Sequence, residues 1–339
     1  MTTMLEQRYR TVLRLLPSYY RAAREEEMVE AYLHGIDERQ RDELRPAWGE
    51  VASIAALAVR TRMGAAGAPA RYATLGAVVR LFALLSVLLQ AASGVTGQAL
   101  LLAWVHGAAP RDRDMVLEGF TGHGAAAGLY EVVRWLIPPA WTVAYLALLR
   151  DHRRTALAFA ALAALPGLAF VTQHLGSGQD ALAVSFSLTA TVFSWLTVVA
   201  LCCAFHRDAP PARLPLASPG LALMGTCVLM GASTVVWQGG ADPGWAGGVA
   251  FVAAAAVWLV ARRRSPQPAG DPALPVALAA LGLAVLVERT LSLAFLADAH
   301  APGVLLTVTA VQAGVIAALA AALTAIGSRG LTAARCGTG

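Results

Sequence analysis

Residues 273–297 read ALPVALAALGLAVLVERTLSLAFLA. Fifteen apolar or small residues precede Glu288 and Arg289, and TLSLAFL follows them. A helix crosses the bilayer core of about 30 Å with about 20 apolar residues. Moving both charges to an interface leaves the span too short, so they belong inside it. Seven further runs qualify as spans, approximately 78–106, 126–149, 155–174, 181–205, 214–236, 245–261 and 303–327. Short segments rich in Gly, Pro, Asp and Arg separate them.

The arginines of those segments give an orientation. Arg150, Arg153 and Arg154 follow the second span, Arg207 and Arg213 the fourth, Arg262, Arg263 and Arg264 the sixth, and Arg329 and Arg335 the eighth. The opposite loops 176–180, 239–244 and 297–303 have none, and the loop after the first span has only Arg111 and Arg113. The positive-inside rule then places both termini in the cytoplasm and the chain in the cell inner (cytoplasmic) membrane, with the lipid bilayer as its main partner.

Charge is concentrated upstream of the spans. Only 14% of the 339 residues are charged, against about 25% in soluble domains. Residues 1–71 nevertheless hold 21 of the 47 charges. The chain therefore divides into a helical head (1–63), a linker (64–71), an eight-helix transmembrane domain (72–328) and a cytoplasmic tail (329–339). The fold class expected is all-α, a polytopic membrane bundle carrying a three-helix cytoplasmic domain.

Every basic residue is Arg, a composition expected of a GC-rich, actinobacterial genome. Without Lys there is neither a Walker A phosphate loop nor Schiff-base catalysis. The net charge of +5 sits in the connectors rather than in a stripe, which argues against nucleic acid. Cys202, Cys203, Cys227 and Cys336 lie in apolar runs or the tail and imply no disulfide framework. No signal peptide is read at the N-terminus.

The first span is the longest. Tyr72 to Gly107 is 36 residues, about 54 Å as one helix. Arg80 is placed at the cytoplasmic interface, and Ser93–Gly97 is expected to bend the helix. Pro138-Pro139 and Pro166 are expected to kink theirs. Trp104, Trp135, Trp141, Trp237 and Trp245 fall toward span ends, as in an aromatic belt. The head reads as three amphipathic helices. The first carries Leu5, Tyr9, Val12, Leu13 and Leu16 at helical spacing and breaks at Pro17. The second, about 19–34, carries Arg21 and Glu25 at i,i+4 and Arg24 and Glu27 at i,i+3. The third, about 40–62, sets Leu44, Trp48, Val51, Ala55 and Ala58 along one seam, widened by Ile54 and Leu57. A domain this small leans on a membrane body, a partner or a second copy of itself.

The run Leu5-Glu6-x-Arg8-Tyr9-Arg10-x-x-Leu13-Arg14-Leu15-Leu16-Pro17-x-x-Tyr20-Arg21-x-x-Arg24-Glu25-Glu26-Glu27-Met28 resembles the short helical HAAS-type domain. That domain opens many actinobacterial multi-pass and permease-like membrane proteins. The resemblance covers about 60 residues and stops before the membrane part. It implies a regulatory or signalling module, often encoded beside PadR-type regulators, and no catalytic residue. A cytoplasmic regulator or transporter partner bound through residues 1–63, or a homo-oligomer, follows from it.

Glu288 and Arg289 are the sharpest candidates for chemistry. An ionisable residue at that depth costs about 2.5–3.5 kcal/mol on insertion scales and is usually buried against a partner. Adjacent helix positions point about 100° apart, which separates the two. Gln312 lies at similar depth on the last span; Glu131 and Arg134 are shallower on the second. These five form an expected polar cluster in the outer half, either a substrate or proton site or a set of inter-helix salt bridges. For Glu131 and Arg134 an interfacial position is the alternative. His106, His123, His174 and His300 collect at outer ends, a weak metal or pH-sensing signal with no ligand spacing on one helix. Cys202-Cys203 with His206 lacks the second half of a metal site.

No HExxH, GxSxG or paired CxxC occurs, and no cofactor is implied. The expectation is a non-enzymatic protein coupling an external or intramembrane stimulus to a cytoplasmic partner. The alternative is a transporter or permease subunit with its polar site in the outer half.

Overall fold

Helix is the backbone pattern that long apolar runs adopt in lipid, because each N–H must bond within its own segment. The computed structural model describes residues 4–34, 45–64, 67–107, 113–114, 118, 135–176, 181–205, 218–237, 244–264 and 272–336. Among them are eleven helices and no strand: α1 Met4–Leu13, α2 Ser18–His34, α3 Trp48–Arg62, α4 Ala70–Gly107, α5 Pro138–Leu149, α6 Arg153–Gly176, α7 Ala181–Ala204, α8 Pro219–Val236, α9 Trp245–Arg264, α10 Ala273–Asp298 and α11 Gly303–Cys336. Six of the described helices are long and apolar enough to cross a membrane: α4, the Ser187–Ala204 part of α7, α8, α9, α10 and α11. The helices form two compact units, Met1–Val79 with Cys203–Pro210, and Arg80–Cys202 with Pro211–Gly339.

In the first unit α1 ends before Pro17, whose missing N–H cannot continue the ladder. Its carbonyl instead receives the N–H groups of Tyr20 and Arg21, which starts α2. Tyr9, Leu13, Leu16, Val29, Ile54 and Ala58 make the core, and the Tyr9 and Tyr32 rings stack with centroids 4.0 Å apart. The third helix starts at Trp48, after Arg45, which precedes a proline and is biased to extended backbone, and the expected stretch from 40 to 44 lies outside the described residues. Its buried stripe is Ile54, Ala58 and Thr61, and Trp48 is 88% exposed. Of the expected seam, Ala58 and the widening Ile54 are buried, Val51, Ala55 and Leu57 are half-buried, Trp48 is out in solvent, and Leu44 lies outside the described residues.

Glu25 and Glu26 face Arg10 on α1. The Arg10 guanidinium donates to both Glu26 oxygens at 2.8 and 2.9 Å and to Glu6 Oε1 at 3.1 Å, with Glu25 at 3.6 Å. The hydrogen bond from Arg10 holds the Glu26 carboxyl below its usual range. Because folding lowers that pKa, the contribution is whole at neutral pH. It is lost as pH falls through the folded value, beneath the 4.5 of an ordinary glutamate. Hydrogen exchange in α1 and α2 across an acid titration of the full-length protein is expected to show that loss. Arg10→Gln should flatten the corresponding part of the acid limb.

The turn from α3 to α4 passes through Gly64 at φ +82°, where a Cβ would lie 2.9 Å from the Ala73 Cα. Conformation and space both demand glycine. Tyr19 on α2 closes the corner, donating to the Thr61 carbonyl at 2.9 Å and packing on the Tyr72 ring. Gly64→Ala is expected to cost about 2 kcal/mol, read as earlier proteolysis of the head. A change below a few tenths would contradict this account of the turn.

Helix α4 is one helix of 38 residues, and the second unit holds it from Arg80 onward. The Ser93–Gly97 stretch serves as a seat for its neighbours. A Cβ on Gly94 would lie 2.9 Å from the Pro138 carbonyl oxygen, so α5 begins against bare backbone. Thr96 Oγ1 donates to the Cys227 carbonyl of α8 at 3.3 Å, and Gln98 Nε2 donates to the Trp135 carbonyl. Ahead of the Pro138-Pro139 pair the helix is interrupted at Ile137, and the prolines open α5, where a missing N–H costs nothing. Pro166 lies within α6. The α6–α7 contact closes at Gly167 against Thr191, and the Tyr145 hydroxyl ties α5 to the Pro219 carbonyl at 2.9 Å.

Candidate functional site

Helices α10 and α11 are antiparallel neighbours joined by a short turn, and one row of buried positions on each alternates by three and four residues. On α10 these are Leu278, Gly282, Val285, Arg289 and Ser292; on α11 they are Thr309, Ala313, Ile316, Ala320 and Leu323, with Gln312 beside Ala313. This is the spacing of a knobs-into-holes seam. Residues equally distant from the turn meet across it, so Arg289 is level with Gln312 and Ser292 with Thr309. Contacts farther along agree with that register: Gly327 seats Val276 and Gly330 seats Pro272. The seam is thus apolar from Leu278 to Val285 and polar at the end nearest the turn.

The first turns of α9 close the polar end. A Cβ on Gly244 would lie 3.0 Å from Arg289 Nη1 and 3.3 Å from Ser292 Oγ. On Gly248 it would strike the Gln312 amide, and one turn deeper Phe251 packs on Gly282. Two glycines four residues apart are what lets a helix approach such side chains closely. Gln312 Nε2 donates to the Trp245 carbonyl at 3.1 Å, and Trp245 Nε1 donates to the Ser233 carbonyl of α8 at 3.2 Å.

Arg289 is the largest fully buried side chain among the described residues. Buried polar groups are normally paired, and leaving one unpaired costs about 1–3 kcal/mol. Around Arg289, Ser292 Oγ, Thr309 Oγ1 and Gln312 Oε1 are buried with no hydrogen-bond partner among the described residues. Three such oxygens in one layer give it spare capacity to bind a donor.

Of the five residues expected to cluster, Arg289 and Gln312 are both buried and stand level on facing helices. Glu288 is half-buried on the adjoining face of α10, off the seam, as the 100° step requires. Glu131 and Arg134 lie outside the described residues. His106 and His300 are exposed; His123 and the side chain of His174 lie outside the described residues. No three His, Cys, Asp or Glu side chains among the described residues are grouped to hold a metal ion.

Sequence reasoning passed over Ser292, Thr309, Gly244 and Gly248. A usable signal was present: Ser292 stands three residues after Arg289 and Thr309 three before Gln312, at heptad spacing, while Gly244 and Gly248 are four apart at the start of a span. In comparison with known proteins, no family model, no curated protein and no solved structure matches the chain.

Proposed function

We propose that the chain is an eight-span protein of the cytoplasmic membrane with both termini in the cytosol. In this reading the polar layer around Arg289 receives a stimulus, and the HAAS-like head passes it to a cytoplasmic partner without catalysis. The observation that carries it is the closure of the layer. Leu278, Gly282, Val285, Ile316, Ala320 and Leu323 pack the same seam directly below it, which suits a binding pocket better than a conduit. The positive-inside pattern puts the polar end outside.

Site-specific photocrosslinking from position 48 in cells, where the side chain is open to solvent, tests the coupling. A crosslinked partner whose yield changes at least threefold in Arg289→Met is the expected outcome. A yield indifferent to Arg289 defeats the proposal. The second reading, a transporter or permease subunit, draws on the three spare acceptor oxygens beside Arg289. It requires solute flux in proteoliposomes that Arg289→Met abolishes.

A further inference from the structure

Two hydrogen bonds meet at Trp245, the first residue of α9, and together they join three helices. Gln312 Nε2 of α11 donates to its carbonyl at 3.1 Å, and its indole Nε1 donates to the Ser233 carbonyl, in the last turn of α8, at 3.2 Å. Trp245 stands between Gly244, which lies against Arg289 and Ser292, and Gly248, which lies against the Gln312 amide. The outer end of α9 is thus tied over the polar layer from both sides.

Deeper along α9 the attachment is of another kind. Ala250 shares a buried cluster with Ala92 and Met230, Phe251 packs on Gly282, and Ala255 is fully buried. Apolar packing anchors this stem. The end above it is rich in glycine, the poorest helix former after proline. Close approach to the side chains of the layer explains Gly244 and Gly248. It does not explain Gly247, where a Cβ would meet nothing within 4 Å. A glycine in open space adds no packing and weakens the helix that holds it.

We propose that the first turns of α9 are a hinged lid on the Arg289 layer, latched by Trp245 and loosened by Gly247. Ser292 Oγ, Thr309 Oγ1 and Gln312 Oε1 are buried beneath it, so nothing from outside meets them while the latch holds. Opening breaks both Trp245 bonds and lifts Gly244 and Gly248 from the layer, while Ala250 and Phe251 stay seated. Local opening of this kind leaves the seam from Leu278 to Val285 packed, and costs less than parting α10 from α11. The inference rests on reading the polar layer as the receiving site, and it names what regulates access to it.

The test uses full-length protein in phosphatidylcholine nanodiscs, with Ser292→Cys as reporter and an anionic maleimide as probe. The adduct is read on the peptide that carries position 292, apart from the native cysteines. Trp245→Phe keeps the ring and removes the indole N–H; it is expected to speed modification about fivefold, the factor that one neutral hydrogen bond supplies. Gly247→Ala stiffens the lid and should slow modification about two- to fivefold. A second reporter, Ala320→Cys at a buried position in the apolar stretch of the seam, should stay unreactive throughout. Opposite shifts at 292 with 320 silent support the lid. Modification at 292 that either substitution leaves unchanged overturns it, because α9 then does not control access. Modification that rises at 292 and 320 together also overturns it, because the whole bundle then loosens. The readout is access to the layer alone, so its failure is distinct from a failed coupling to the head, which the crosslink from position 48 reports.

Discussion

Arg289→Ala is expected to destabilise the membrane unit by about 3–5 kcal/mol, whereas Arg289→Met should cost less than about half of that. The alanine variant removes a fully buried side chain from a layer whose floor, Val285 and Ile316, and lid, Gly244, cannot collapse to fill the space. It also strands whatever the guanidinium neutralises. Methionine keeps most of the volume, and it removes the cost of holding a charge out of water. Resistance of the purified protein to unfolding in mixed micelles measures both. If the methionine variant is as stable as wild type yet loses the crosslinked partner or solute flux, the charge serves function. If it is unstable and the remaining molecules act normally, the charge serves packing. Glu288→Gln is the companion: half-buried and off the seam, it is expected to change stability by less than about 1 kcal/mol, within the range of a partly solvated group.

Gly282→Ala is the second large effect. Its Cβ would overlap Phe251 Cζ, the tip of a ring that α9 sets against α10. A closed layer relieves such overlap only by shifting a helix, at about 1–3 kcal/mol. Phe251→Ala alone opens a cavity, at about 3–5 kcal/mol. In the double variant the new methyl occupies part of that cavity, so the combined loss should fall short of the sum by at least about 1 kcal/mol. Strict additivity would show that α9 does not bear on α10 at this layer.

Six of the eight expected spans, all but 126–149 and 155–174, match described helices long and apolar enough to cross a membrane. They were legible because apolar runs of that length leave few alternatives in a chain so poor in charge. Likewise Arg289 stood out as a charge with fifteen uncharged residues ahead of its neighbour Glu288. The phase of α3 was legible only in part, with Ile54 and Ala58 read correctly and Trp48 misplaced, and the reason is compositional. Ala52, Ala55, Ala56 and Ala58 spread weak hydrophobicity around the helix, so Trp48 dominated the pattern although tertiary contacts chose Ile54 and Thr61. Ser292 and Thr309 escaped notice because a hydroxyl inside a span can satisfy itself on its own backbone. Only the three-dimensional register shows that these two stand level across the α10–α11 seam, at the buried end that holds Arg289. The glycines at 244 and 248 read as loop boundary and small filler, since their role lies in side chains belonging to other helices.

The short corners and distant seats imply an order of assembly. α5 reverses into α6 through Asp151, and α10 into α11 through His300, two non-glycine residues at φ 60° and 52°. Such hairpins close small loops and form early. The link from Thr96 to Cys227 joins residues 131 apart and must await most of the chain. α4, though synthesised first among the apolar helices, is therefore the last to be locked in place. A lesion at Gly94 or Thr96 should stall biogenesis after the later hairpins have inserted, with those hairpins already protected and α4 still open to protease.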